Sequence, residues 1–122
     1  MPVKPKRKAN KRAKINSRAK GARGERELAE YLRERGYTAR RGQQFSGVEG
    51  QDIVHDIPGV HIECKRVEAG NLYNWLSQAK RDAKTKVPIV MHKKNGKDWV
   101  AIMALDDMLN LLLLTGAPCT TN

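Results

Sequence analysis

From Ser17 to Arg35 the apolar residues recur at helical spacing, with Ala22, Leu28, Ala29 and Leu32 on one stripe and Gly36 closing the helix as a C-terminal cap. Tyr37 to Arg41 reads as a short strand, and the polar, glycine-rich run Gly42 to Gly50 as a mobile connection. Two alternating runs then flank the turn signal Pro58-Gly59, so Gln51 to Arg66 predicts a β-hairpin. Leu72, Trp75, Leu76 and Ala79 return to helical spacing over Asn71 to Lys84, which assigns Trp75 to the core rather than to base stacking. Val87 to Met91 and Trp99 to Ala104 predict a second hairpin about the turn Lys94 to Lys97. Asp106 or Asp107 caps a last helix through Leu114, whose leucines run nearly all round it. Such a helix either lies deep in the fold or supports a subunit interface, and in a chain this short the interface is favoured.

Charge interrupts this pattern in two places. Symmetric pairing about Pro58-Gly59 puts Asp52 opposite Lys65 and Val54 opposite Glu63. Asp52, Glu63 and Lys65 then share one face, and Ile53, His55, Ile62 and Cys64 the other. Two carboxylates at diagonal positions, roughly 7–8 Å apart at the backbone, reach one cation between them, although a solvent-facing salt-bridge ladder has the same pattern. Glu25 is the second interruption, since it falls on the apolar stripe of the first helix while Glu27, Glu30 and Glu34 point elsewhere. An inward carboxylate needs a cation or a donor. An arginine of the same helix would serve, or Gly21 and Gly24 thin the stripe enough for water. Gln78 lies beside the second helix's stripe, and Glu49 sits between glycines rather than on a strand.

The chain has 122 residues with 24 Lys+Arg against 13 Asp+Glu, a formal charge of +11. Nine of the basic residues and no acid lie in residues 1–20, which leaves 15 basic against 13 acidic residues, +2, for residues 21–122. Residues 1–17 therefore read as a disordered basic arm, 18–114 as a single domain and 115–122 as a frayed tail. The arm suits a polyanion: Lys4, Lys6, Arg7, Lys8, Lys11, Arg12 and Lys14 are candidate DNA contacts, with a solubility or localisation tail as the alternative. No signal peptide follows the basic start, and Leu111 to Leu114 is too short a run to span a bilayer, so no membrane is expected and the location is cytoplasmic, near DNA. Cys64 and Cys119 lack metal-ligand spacing and read as reduced thiols.

The order is helix with an inward Glu, strand, strand with Asp, strand with Glu-x-Lys, helix, two strands. On Lys20-Gly21-Ala22-Arg23-Gly24-Glu25-Arg26-Glu27-Leu28, Gly36-Tyr37, Arg41, Gly50-Gln51-Asp52-Ile53-Val54 and Ile62-Glu63-Cys64-Lys65, over about residues 20–104, the sequence resembles the PD-(D/E)XK nuclease superfamily, in particular the archaeal-type Holliday junction resolvases and their phage relatives. Gln51 departs from the proline that often precedes the aspartate. The resemblance implies an α/β (α+β) restriction-endonuclease-like core, a central mixed sheet of about five strands flanked by helices. It implies catalytic roles for Glu25, Asp52, Glu63 and Lys65. It also implies Mg²⁺, with Mn²⁺ as a substitute, on Asp52, Glu63, the backbone carbonyl of Cys64 and, directly or through water, Glu25. Arg26, Arg41 and Ser46 become candidate DNA contacts. The function implied is Mg²⁺-dependent cleavage of branched DNA by a homodimer joined through the C-terminal helix or the Trp75 region. The alternatives are a nicking, repair or restriction-type nuclease, or a non-catalytic DNA-binding protein.

Overall fold

A computed structural model describes residues 21–42 and 52–115. The basic arm, the connection bearing Ser46 and Glu49, and the tail with Cys119 lie outside the described residues.

Helix α1 covers residues 21–34 and buries Leu28, Ala29 and Leu32, the stripe expected of it. It ends in a Schellman motif: Gly36 takes φ +95°, its N–H donates to Arg33 O at 3.0 Å, and Tyr37 N–H donates to Leu32 O at 3.1 Å. Strand β1 (Ala39–Arg41) follows and pairs antiparallel with β2 (Ile53–His55), Arg40 opposite Val54. Strand β3 (Val60–Lys65) then leads through helix α2 (Leu72–Ala83) to β4 (Val87–His92), which runs parallel to β3 with Glu63 opposite Val90. Asn71 caps α2, its side-chain oxygen accepting from Tyr73 N and Asn74 N. The hairpin to β5 (Val100–Ile102) forms as expected, Met91 opposite Ala101, with Gly96 at φ +75° in the turn.

Two expectations fail here. Five strands are present among the described residues, but as a two-stranded sheet β1-β2 and a three-stranded sheet β3-β4-β5 rather than one central sheet. The hairpin Gln51 to Arg66 is likewise absent as a ladder: the turn at Pro58-Gly59 exists, yet β2 and β3 belong to different sheets. Local side chains take up the backbone groups that such a ladder would use. His55 Nδ1 accepts from Ile57 N, and Asp52 Oδ2 accepts from Cys64 N at 3.0 Å. The pairing of Asp52 with Lys65 and of Val54 with Glu63 is therefore replaced by one side-chain clasp from β2 to β3.

β3 is buried on both faces from Val60 to Glu63. One face, Val60 and Ile62, joins Leu28, Ala29, Leu32, Ile53 and Ile89 in the main core, with Cys64 packed against it. The other carries His61, Glu63 and Lys65 toward α2, whose Gln78 meets Lys65. Full burial of Leu28, Ile53, Ile62 and Val90 contributes about 1.5–3 kcal/mol each to stability. On α2 only Ala79 and Ala83 are buried; Leu72 is exposed and Trp75 half-buried, its ring centroid 4.8 Å from that of His92. Gly70 is required there because a Cβ would collide with the Trp75 ring.

Helix α3 (Leu105–Leu114) has Ala104 as its N-cap and no side-chain cap bond, so neither Asp106 nor Asp107 caps it; both lie in the first turn, where their charge suits the helix dipole. None of its residues is buried, which excludes the deep location. No helix among the described residues is long and apolar enough to cross a membrane.

Candidate active site

The acids converge on the edge of β3 that faces β2. Because Cys64 N–H turns toward Asp52 while Lys65 O accepts from Lys93 N beyond β4, the carbonyl of Cys64 shares the Asp52 side of the strand. Asp52 is thus fixed on the strand edge. Glu63 comes to it from the α2 face and is 3 % exposed. The two carboxyl groups hydrogen-bond to each other, with Asp52 accepting.

Burial comes first among the causes that push both acids upward. Asp52 is raised despite the Cys64 N–H, the Glu63 hydrogen bond and the Lys65 charge. Glu63 is pushed up to about 8 by burial and by the charges of Asp52 and Asp82, against the pull of Lys65. At neutral pH the pair shares a proton that a cation would displace. Cys64 is raised as well, by burial and the surrounding acids, which keeps it an inert thiol.

Glu25 reaches the site from the other side. α1 packs on the apolar face of β3, and it is α2 that covers the polar face. Glu25 Oε1 accepts from Arg41 Nε at 2.8 Å, so its partner comes from β1 rather than from its own helix. Burial raises Glu25, Arg41 opposes this, and the charge of Asp52 is close enough to raise it further. Lys65 Nζ donates to Gln78 Oε1 at 3.3 Å, which holds the ammonium on the Glu63 face. Gln78 thus meets Lys65 from α2.

Three neighbours escaped the sequence reading. Glu27 does not point to solvent: Arg66 Nε donates to its Oε1 at 2.9 Å and Lys93 Nζ to its Oε2 at 3.1 Å. Gly24 makes room for this contact, since a Cβ there would strike the Arg66 side chain. His61, 5 % exposed, lies 3.2 Å from Glu63 Oε1 through its Nε2. The period of two that groups Glu63 with Lys65 includes His61, and that was the available signal. Asp82 stands four residues after Gln78 on α2, the spacing that shares a helix face. Of the expected DNA contacts among the described residues, Arg26 and Arg41 line an open groove of about 510 Å³ together with Arg23 and Arg33.

A model of the family described as "Phage putative PDDEXK endonuclease" matches residues 16–119. The chain belongs to this family. A search of curated proteins and a search of solved structures each return no match. As a PDDEXK endonuclease the protein is a nuclease, and a nuclease of this type calls for a divalent metal. The donors present fit one. Asp52, Glu63 and the Cys64 carbonyl offer oxygen donors beside one edge of β3, the kind of donor that hard cations prefer. Glu25 has Oε1 engaged by Arg41, leaving Oε2 for a direct or water-bridged contact.

Proposed function

We propose that the protein is a Mg²⁺-dependent endodeoxyribonuclease that hydrolyses phosphodiester bonds in branched DNA, resolving Holliday junctions by paired cuts as a homodimer. The observation that carries the reading is the buried Asp52–Glu63 carboxyl pair with Lys65 held beside it by Gln78. Asp52, Glu63 and the Cys64 carbonyl hold Mg²⁺, with Mn²⁺ as a substitute, and Glu25 completes the acidic set. The cation, when bound, offsets phosphate charge and acidifies a water. Lys65 presents its ammonium to the scissile phosphate, where charge develops in the transition state. Arg26 and Arg41, in the arginine-lined groove, contact flanking phosphates, and the basic arm adds a salt-dependent, sequence-independent attraction.

The junction substrate follows the resemblance of residues 20–104 to the resolvases, whose catalytic motifs other nucleases of the superfamily share. The dimer is supported by the exposed leucines of α3, where Leu109, Leu112, Leu113 and Leu114 face solvent in one chain. A nuclease of the same fold acting on other DNA is the second reading, since substrate choice lies in surface shape rather than in the catalytic set.

Cleavage of a synthetic four-way junction, a flap and a linear duplex, compared in Mg²⁺ at equal protein, tests the proposal. Symmetric cuts in the junction with little turnover of the duplex are expected. Preference for the flap or duplex would transfer the reading to another nuclease, and intact DNA of every form under Mg²⁺ and Mn²⁺ would leave only a binding role.

A further inference from the structure

The polar face of β3 carries a second set of donors that the proposed Mg²⁺ site does not use. One ring nitrogen of His61, one Glu63 oxygen and one Asp82 oxygen all lie within 4.8 Å of one another. His61 and Glu63 stand two residues apart on β3, and Asp82 comes from the last turn of α2, so two rigid elements define the set. We infer that His61, Glu63 and Asp82 form a second divalent-cation site, one with a nitrogen ligand, that shares Glu63 with the catalytic pair.

Geometry supports this first. Two donors at about 2.1 Å from a cation and at right angles are about 3 Å apart, and His61 Nε2 stands 3.2 Å from Glu63 Oε1. Asp82 is exposed, so its carboxylate is free to close the remaining gap and the open side of the site admits water. Asp82 takes part in none of the ion pairs among the described residues. The donor set determines the metal: one imidazole and two carboxylates suit Mn²⁺, Co²⁺ or Zn²⁺, whereas Mg²⁺ prefers the all-oxygen set at Asp52. Glu63, with its carboxyl group turned to Asp52 on one side and to His61 on the other, is placed to bridge the two positions.

The inference concerns binding and does not rest on DNA being the substrate. Full-length protein freed of metal by a chelator is titrated with Co²⁺ and followed by its visible absorption. Wild type is expected to show a band that a large excess of Mg²⁺ leaves in place and that persists in Asp52→Asn. Asp82→Asn and His61→Gln are each expected to weaken Co²⁺ binding on the order of tenfold or more, since losing a ligand costs at least what losing an outer partner of a ligand costs. Asp82 is exposed, so the Asp82→Asn chain tests the site without endangering the core. A Co²⁺ titration unchanged in Asp82→Asn and His61→Gln, or a band lost in Asp52→Asn alone, overturns the second site. Failure of DNA cleavage, by contrast, would alter none of these spectra.

Discussion

Two charged clusters border β3, and they are opposites. At the strand's C-terminal end Glu27 is flanked by Arg66 and Lys93, each hydrogen-bonded to a different oxygen, and although partial burial works against it these donors hold its carboxyl below the usual range. Midway along the same strand Asp52 and Glu63 are forced together with no Lys or Arg among the described residues bonded to either, and both are pushed up. Cations stand nearby, but Arg41 is engaged with Glu25 and Lys65 with Gln78. One cluster is complete as folded and joins α1 to the strand end. The other is left with repulsion that a divalent cation would relieve, and an arrangement that costs stability is the mark of a working site.

The contrast is broken most sharply by comparing the two lysines. Lys65→Ala is predicted to lower the cleavage rate about 10²–10³-fold while DNA binding persists, because its charge acts on the phosphate in the transition state. Lys93→Ala, at the complete cluster, is predicted to leave the rate within a few-fold. Single-turnover cleavage at saturating protein, paired with a binding assay, separates the two effects.

Stability is predicted to change in opposite directions. In metal-free protein Glu63→Gln raises the melting temperature at pH 8, since it removes a buried acid that is hard to ionise. Glu27→Gln lowers stability by about 1 kcal/mol, a figure reduced for the solvent that reaches this partly exposed pair. Thermal denaturation of both variants beside wild type measures the difference in sign.

The pH dependence is subtler. Folded Glu63 keeps its proton up to about 8, whereas the unfolded chain releases it near 4.5, the ordinary value for a glutamate. Between those values the folded state binds more protons, so metal-free stability falls as pH rises through that window and levels off above it. Glu63→Gln flattens the fall. Added Mg²⁺ raises the melting temperature more at pH 8 than at pH 6, because at the higher pH it no longer competes with the proton.

Much of this was legible in the sequence because it depended on local pattern. The α1 stripe and its Gly36 cap, the α2 span and the β4–β5 turn follow from periodicity and turn chemistry, and all appear where expected. The grouping of Asp52, Glu63 and Lys65 was legible too, though for a partly mistaken reason: they converge through the Asp52 side-chain clasp on Cys64 N–H, not through a paired hairpin. What escaped was strand partnership. A turn at Pro58-Gly59 says that the chain reverses, but not whether β3 finds its ladder with β2 or, through the α2 crossover, with β4. His61 and Asp82 were missed with it, since only the β3–α2–β4 unit brings that helix against the strand's polar face. α3 is a case where the pattern left two places open, deep in the fold or at a subunit interface, with the interface favoured; Leu113 and Leu114 are 68 % and 82 % exposed, which removes the deep location.

The Asp52–Glu63 pair is proposed as a divalent-metal site for phosphodiester cleavage. Its most direct test is the conversion of supercoiled plasmid and four-way junction DNA by wild type and by Asp52→Asn, each with Mg²⁺ and with chelator. Cleavage by wild type in Mg²⁺ alone, absent with chelator and absent in a folded, DNA-binding Asp52→Asn, is the predicted result. Cleavage that survives in Asp52→Asn, or that proceeds equally well with the metal removed, would contradict it.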